Sequence, residues 1–217
     1  MKALVLGGSG YIGEKLAQFL SSKNYEVSIA TRNKKKISKY NNIIEINWEN
    51  LASLQSACEG NDIIIHAAGA SSKVSKEEYA NVKHFCKTGT MNLIEASKMC
   101  SVKKMIYLST AHVYSNPLLG KINENTTLTN KDPYAVTHSI AENIILKGQV
   151  ENVFETKVLR LANCFGAPIS KDANCWNILI NNICKQAVVE NKITINSHAN
   201  IVRNFIPINT TISFIEN

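Results

Sequence analysis

The 217-residue sequence has no C-x-x-C pair, no apolar run long enough to span a bilayer, no arginine-rich tail, no internal repeat and no low-complexity linker. Six cysteines, Cys58, Cys86, Cys100, Cys164, Cys175 and Cys184, are scattered singly. Neither a zinc site nor a disulfide framework is indicated, and reduced thiols in a cytoplasm are the simple reading. The apolar run near the N-terminus breaks at Gly7, far short of a signal-peptide core, so no membrane association is expected. Acidic residues are the minority, 17 against 24 basic, which leaves a net charge of +7. Such a balance suits an anionic ligand or a nucleic-acid surface. The lysines fall in short local groups such as Lys34-Lys35-Lys36, with no aromatic-studded basic stripe, which puts nucleotide binding first and nucleic acid a distant second. At 45% hydrophobic content the chain supports one well-buried domain and little more.

What is present begins with Gly7-Gly8-Ser9-Gly10-Tyr11-Ile12-Gly13, placed between the apolar run Ala3-Leu4-Val5-Leu6 and the helical pattern Glu14-Lys15-Leu16-Ala17-Gln18-Phe19-Leu20. The reading is strand, glycine turn, helix. Gly7 permits the tight turn, Gly10 the approach of backbone to a pyrophosphate, and Gly13 close packing of helix on strand. The helix N-terminus, with Tyr11 and Ile12 in its first turn, offers amide N–H groups to phosphate. Strand-like and helix-like segments then alternate, which predicts a Rossmann-type doubly wound parallel sheet with helices on both faces.

The second strand, Glu26-Val27-Ser28-Ile29-Ala30, runs into Thr31-Arg32-Asn33-Lys34-Lys35-Lys36, without the carboxylate that usually holds the ribose hydroxyls of NAD. Arg32 directly after the strand suits a 2′-phosphate, so NADP(H) is favoured over NAD(H), while the lysines fit a solvated loop. The third strand, Ile43-Ile44-Glu45-Ile46, ends at Asn47-Trp48, where the indole either lines an adenine pocket or caps the core. A buried central strand, Asp62-Ile63-Ile64-Ile65-His66, ends in Ala67-Ala68-Gly69, small residues where bulk would block a ligand crossing the sheet edge. His66 fits a satisfied core histidine better than a ligand. A helical region from about Glu77 to Met99 is expected to break near Thr88-Gly89-Thr90. After the strand Lys104 to Leu108, the hydroxyls of Ser109 and Thr110 stand where an open α/β sheet presents its ligand site. No G-x-S-x-G elbow accompanies them, which argues for hydrogen bonding rather than acyl transfer. Asp132 and Pro133 form a helix start that places Tyr134 in the first turn and His138 on the same face.

The glycine turn, the Ser109-Thr110 to Tyr114 strand end and the Pro133-Tyr134-Ala135-Val136-Thr137 helix start resemble the extended short-chain dehydrogenase/reductase family, in particular its NAD(P)-dependent nucleotide-sugar epimerase/dehydratase branch. The resemblance continues in Leu159-Arg160-Leu161-Ala162-Asn163-Cys164-Phe165-Gly166 and in Arg203-Asn204-Phe205-Ile206. It implies Tyr134 as acid or base, Thr110 bonding the reacting oxygen, and Asn163 and Arg203 toward the phosphates of a nucleotide-sugar. His138 stands where the family pattern has the lysine that holds the nicotinamide ribose, and Ala111-His112 where dehydratases carry Asp and Glu, which disfavours dehydration. An NAD(P)-dependent epimerase or ketoreductase is therefore expected, with a catalytically impaired dinucleotide-binding protein as the alternative. Two units are predicted: residues 1–166 as the dinucleotide-binding domain and 167–217 as the start of an incomplete C-terminal substrate lobe, with a helix around Trp176 to Val189 and a strand near Ile193-Thr194-Ile195. Apolar residues left exposed on a half lobe invite self-association into a homodimer.

Overall fold

A computed structural model describes residues 1–33, 40, 42–69, 76–115, 117–118, 120–195 and 202–216. The Lys34-Lys35-Lys36 run lies outside them. Six parallel strands, β1 (Lys2–Leu6), β2 (Glu26–Thr31), β3 (Ile43–Glu45), β4 (Ile63–His66), β5 (Lys104–Thr110) and β6 (Glu155–Leu161), form one sheet in the order β3-β2-β1-β4-β5-β6. Between them run α1 (Tyr11–Ser22), α2 (Leu51–Cys58), α3 (Lys76–Met99) and α4 (Pro133–Gly148). Parallel strands demand such crossovers, and both faces of the sheet are consequently covered. Ala3, Leu4, Val5 and Leu6 of β1 have no exposed surface, yet successive side chains join different cores. Leu4 and Leu6 pack with Leu54 of α2, Leu93 of α3 and Ile145 of α4, whereas Ala3 and Val5 pack with Leu16 and Leu20 of α1. That is the period-two alternation of a strand buried on both sides.

Strand order reverses at β1, which pairs with both β2 and β4. The carboxyl ends of β1 and β4, at Gly7 and Ala67, therefore lie at the switch point, outside which open α/β sheets place their ligands. After β6, β7 (Asn163–Phe165) pairs in parallel with β8 (Phe205–Pro207), α5 (Leu179–Val189) lies between them in sequence, and α6 (Ile208–Glu216) follows. Ile208, Ile212 and Ile215 of α6 join the core on the α1 face.

Three expectations are corrected. Helix α3 runs unbroken through Thr88-Gly89-Thr90. Gly89 is there because Trp48 lies against it, a Cβ at that position standing 3.2 Å from the Trp48 side chain, and Thr90 is satisfied within the helix by donating to the Cys86 carbonyl at 2.6 Å. The helix expected from Trp176 begins at Leu179, because the Trp176 indole N–H turns back to the Lys171 carbonyl. Residues 193–195 are not a strand. The Gln186 side chain accepts from the Thr194 amide at 2.7 Å and donates to its carbonyl at 3.4 Å, taking the place of a strand neighbour.

Candidate active site

The glycine turn is held by backbone contacts that leave no room for side chains. Gly7 adopts φ +76°, and a Cβ there would meet the Ala68 nitrogen at 2.7 Å. At Gly13 the clash would be with the Gly7 carbonyl oxygen at 2.3 Å, whereas at Gly10 a Cβ would stand 3.1 Å from the same oxygen, a tight contact. Helices α2 and α4 close their first turns with side chains, Asn50 accepting from the Ser53 amide and Asp132 from the Tyr134 amide, each at 3.0 Å. Helix α1, with Gly10 at its N-cap, has no side-chain cap among the described residues. Its leading amides are therefore left for an anion such as a pyrophosphate, and the cradle fits a dinucleotide.

Two clefts open along the carboxyl edge of the sheet. The first, about 460 Å³, is lined by Arg32, Trp48, His66, Ala68, Phe85 and Tyr107, among others. Trp48 is buried in the core and also forms part of this wall. Arg32 lies with its guanidinium 5.9 Å from the Phe85 ring centre, a stacked fork beside the cleft. Asn47 is a turn former: its side-chain oxygen accepts from the Glu49 amide at 3.0 Å, and it lies with Arg32 and Trp48 in a neighbouring depression. His66 is buried as expected but not satisfied. Its Nδ1 has no hydrogen-bond partner among the described residues, and burial, reinforced by His138, drives its pKa down to about 3.

The second cleft, about 660 Å³, brings together Thr110, Tyr134, Asn163 and Arg203 with Tyr11, Ile12, Ala67 and His112. Gly69 and His138 line both clefts. Tyr134 sits edge-on to His138, ring centres 4.6 Å apart. Burial raises the Tyr134 phenol above its ordinary value, with the Thr110 hydroxyl pulling the other way. Burial lowers His138 to about 4, partly countered by Glu142, so the imidazole is neutral at physiological pH. His112 is also lowered, by burial and then by Arg203. The Tyr11 hydroxyl donates to the Gly166 carbonyl at 2.8 Å and ties α1 to the end of β7. Asn163 donates through its side chain to the Asn204 carbonyl at 3.0 Å, which anchors the segment carrying Arg203.

Beneath Thr110 lies a network that the sequence motifs contained but did not connect. Ser109 donates to Glu142, and Arg160 clamps the same carboxylate through Nε at 3.1 Å and Nη2 at 2.8 Å. Arg160 Nη1 reaches the Tyr114 hydroxyl at 2.8 Å. The guanidinium is held above its ordinary pKa chiefly by the Glu142 hydrogen bonds. The network joins β5, α4 and β6 and fixes the strand end from which Thr110 projects. One signal was available: Glu142 follows His138 by four residues, which puts a carboxylate on the buried face of α4.

A sequence model of the NAD dependent epimerase/dehydratase family matches residues 3–213. The UDP-glucose 4-epimerase of Bacillus subtilis is 30% identical over 183 residues, 77% of this chain and 54% of the relative. A 4-hydroxy-2-methyl-3-oxo-4-farnesyl-3,4-dihydroquinoline-1-oxide ketoreductase of Stigmatella aurantiaca is 28% identical over 178 residues, 77% of this chain and 51% of that one. The chain spans about half the length of these curated relatives. Among solved structures, the UDP-glucose 4-epimerase of Thermus thermophilus in complex with NAD superposes with a TM-score of 0.82 at 20% identity, covering 100% of this chain and 73% of that one, a likeness of fold.

Proposed function

This chain belongs to the NAD dependent epimerase/dehydratase family, and from that premise we propose that it is an NAD(P)-dependent epimerase or ketoreductase acting on a nucleotide-sugar. The observation that carries the reading is the convergence of Thr110, Tyr134, Asn163 and Arg203 on one cleft beside the uncapped α1 turn. A bound nicotinamide supplies or accepts hydride there. Gly7, Gly10 and Gly13, with Tyr11 and Ile12, hold the pyrophosphate side. Arg32, Asn47 and Trp48 take the adenosine end, and Ala67, Ala68 and Gly69 keep the sheet edge clear. Tyr134 gives a proton to the reacting oxygen or takes one from it, Thr110 bonds that oxygen, and Arg203 meets the phosphates of the sugar nucleotide. The described residues 167–195 and 202–216 contribute the substrate side of the cleft, and the exposed apolar side chains Val188, Val189 and Phe214 support self-association into a homodimer. All six cysteines are free, which supports a cytoplasmic setting. No described helix is long and apolar enough to cross a membrane.

Because Tyr134 is pushed upward in pKa, it is protonated at neutral pH and prepared to act as an acid. That favours reduction of a keto-sugar over the opening alcohol oxidation of an epimerase cycle. The test is oxidation of NADPH by the purified chain with a 4-keto-sugar nucleotide, run beside calorimetric titration of each ligand. Turnover that vanishes in Tyr134→Phe supports the reading. Binding of dinucleotide without any turnover assigns the chain instead to the impaired, binding-only class. For the cofactor, Arg32 supports NADP(H) over NAD(H). Arg32→Ala is expected to lower NADP(H) affinity about tenfold, one charge-assisted hydrogen bond at a partly solvated site, with NAD(H) little changed. Equal losses for both cofactors would remove the preference.

A further inference from the structure

Tyr107 was not singled out by any sequence motif, yet its hydroxyl lies 2.7 Å from His138 Nδ1, with both residues buried. A hydrogen bond between a phenol and an imidazole can run either way, so the direction has to be argued. The phenol is raised well above its ordinary pKa by burial, and the imidazole is depressed to about 4. Both are neutral at physiological pH. A buried O–H needs an acceptor, and among the described residues the Tyr107 hydroxyl has no other hydrogen bond than this one. The phenol is therefore the donor and Nδ1 the acceptor. A neutral imidazole carries one proton, so it resides on Nε2.

The position of Nε2 gives that proton its use. The Cε1–Nε2 edge of the ring lies against Gly69, where a Cβ would stand 3.0 Å from Cε1 and 3.2 Å from Nε2. Gly69 and His138 line both clefts. The missing side chain at Gly69 brings the imidazole edge to the boundary between the two clefts.

We propose that Tyr107 is a positioning residue: its hydroxyl locks His138 in the Nε2–H tautomer, so that the imidazole presents a single uncharged donor at the junction of the clefts to a ligand hydroxyl that passes there. Resting on the dinucleotide reading, this makes a ribose hydroxyl of the cofactor the group received. The residues around the imidazole are His66 on β4, Tyr107 on β5, and Tyr134 and Glu142 on α4. Glu142 is already engaged by Ser109 and Arg160. None of the other three carries charge near neutrality, so the donor is unchanged across that range.

The tautomer is read without cofactor, by two-bond proton–nitrogen correlation in the full chain labelled with nitrogen-15 histidine. His138 is expected to show a bare, pyridine-type Nδ1 and a protonated Nε2 from about pH 5.5 to 8.5, well above its own titration. A protonated Nδ1 overturns the proposal even if Tyr107→Phe fails to fold. Where that variant folds, the His138 nitrogens should move toward a mixed population and dinucleotide affinity should fall about tenfold, the worth of one hydrogen bond. In a His138→Ala background Tyr107→Phe should cost nothing further. An undiminished cost there would make Tyr107 a packing residue only. Failure of the unaltered chain to bind NAD(H) or NADP(H) in calorimetry is a separate result that strikes at the dinucleotide reading, not at the tautomer.

Discussion

His138 stands where the family resemblance leads one to expect a lysine, and its chemistry follows from charge. A lysine at this place would put a unit charge about 6 Å from the Tyr134 phenolate, worth roughly 3 kcal/mol at an effective dielectric near 20, or about two pKa units. His138 supplies no such charge at pH 7.5, since its pKa is depressed to about 4. Tyr134, raised by burial, accordingly stays protonated. His138→Lys is expected to increase alcohol oxidation at pH 7.5 about tenfold, a fraction of the full pKa change because proton transfer is partial in the transition state. Unchanged or lower turnover with intact cofactor binding would show histidine to be the tuned residue.

At the scale of elements, two contacts decide whether the site forms. Helix α1 approaches the end of β1 so closely that Gly13 admits no Cβ, which would stand 2.3 Å from the Gly7 oxygen. Alanine in a helix gains about 1 kcal/mol over glycine in propensity, but forcing the backbones apart costs about 1–3 kcal/mol. Gly13→Ala should therefore be destabilised on balance in urea titration and should lose dinucleotide affinity, because the turn that carries Gly10 must shift. A variant as stable and as tightly binding as the parent would mean that the strand and helix separate cheaply. The second contact joins α4 to β6 through the Glu142–Arg160 pair, 2.8 Å apart, with the Glu142 side chain 2% and the Arg160 side chain 18% exposed. Glu142→Leu removes the carboxylate from the half-buried Arg160 guanidinium and the buried Ser109 hydroxyl, and about 3 kcal/mol should be lost in chemical denaturation. Replacing Glu142 and Arg160 together by apolar residues should recover much of that loss, since the remaining cost of an unpaired charge is then gone.

Among the described residues two histidines, His66 and His138, are buried and neutral, and together with the half-buried His112, lowered in the same direction, they shape the acid sensitivity of the molecule. His66 and His138 are depressed to about 3 and about 4, whereas both titrate near 6.5 when the chain is unfolded. As pH falls from 6.5 toward 4, the unfolded chain takes up protons that the folded chain cannot hold, so stability falls. Each imidazole contributes up to about 1.4 kcal/mol per pH unit across that window. Urea midpoints should decline between pH 6.5 and 4.5, and His66→Phe combined with His138→Gln should flatten most of that slope. A double variant with the parent's slope would place the acid sensitivity elsewhere. Much of the architecture was legible beforehand for a local reason: apolar runs bounded by glycine and capping residues specify strand, turn and helix within a few residues of one another, as at Leu6 to Glu14 and at Asp132 to Tyr134. Those patterns determined the parallel α/β fold, the glycine cradle and the hydroxyl and phenol that face the cleft. What depended on partners distant in sequence could not be read there. Gly89 looks like a helix breaker until Trp48, brought alongside from another connection, makes it a point of close approach. His66 looks like a satisfied core residue until the packing around it leaves Nδ1 without a partner among the described residues. The tether from Tyr107 to His138 and the clamp of Arg160 on Glu142 likewise exist only because the strand order sets β5 beside β6 and lays α4 across them. Sequence spacing determines which side chains share a face, but the crossing of elements decides which polar atoms meet, and on that meeting depend the charge and direction of every donor in the site.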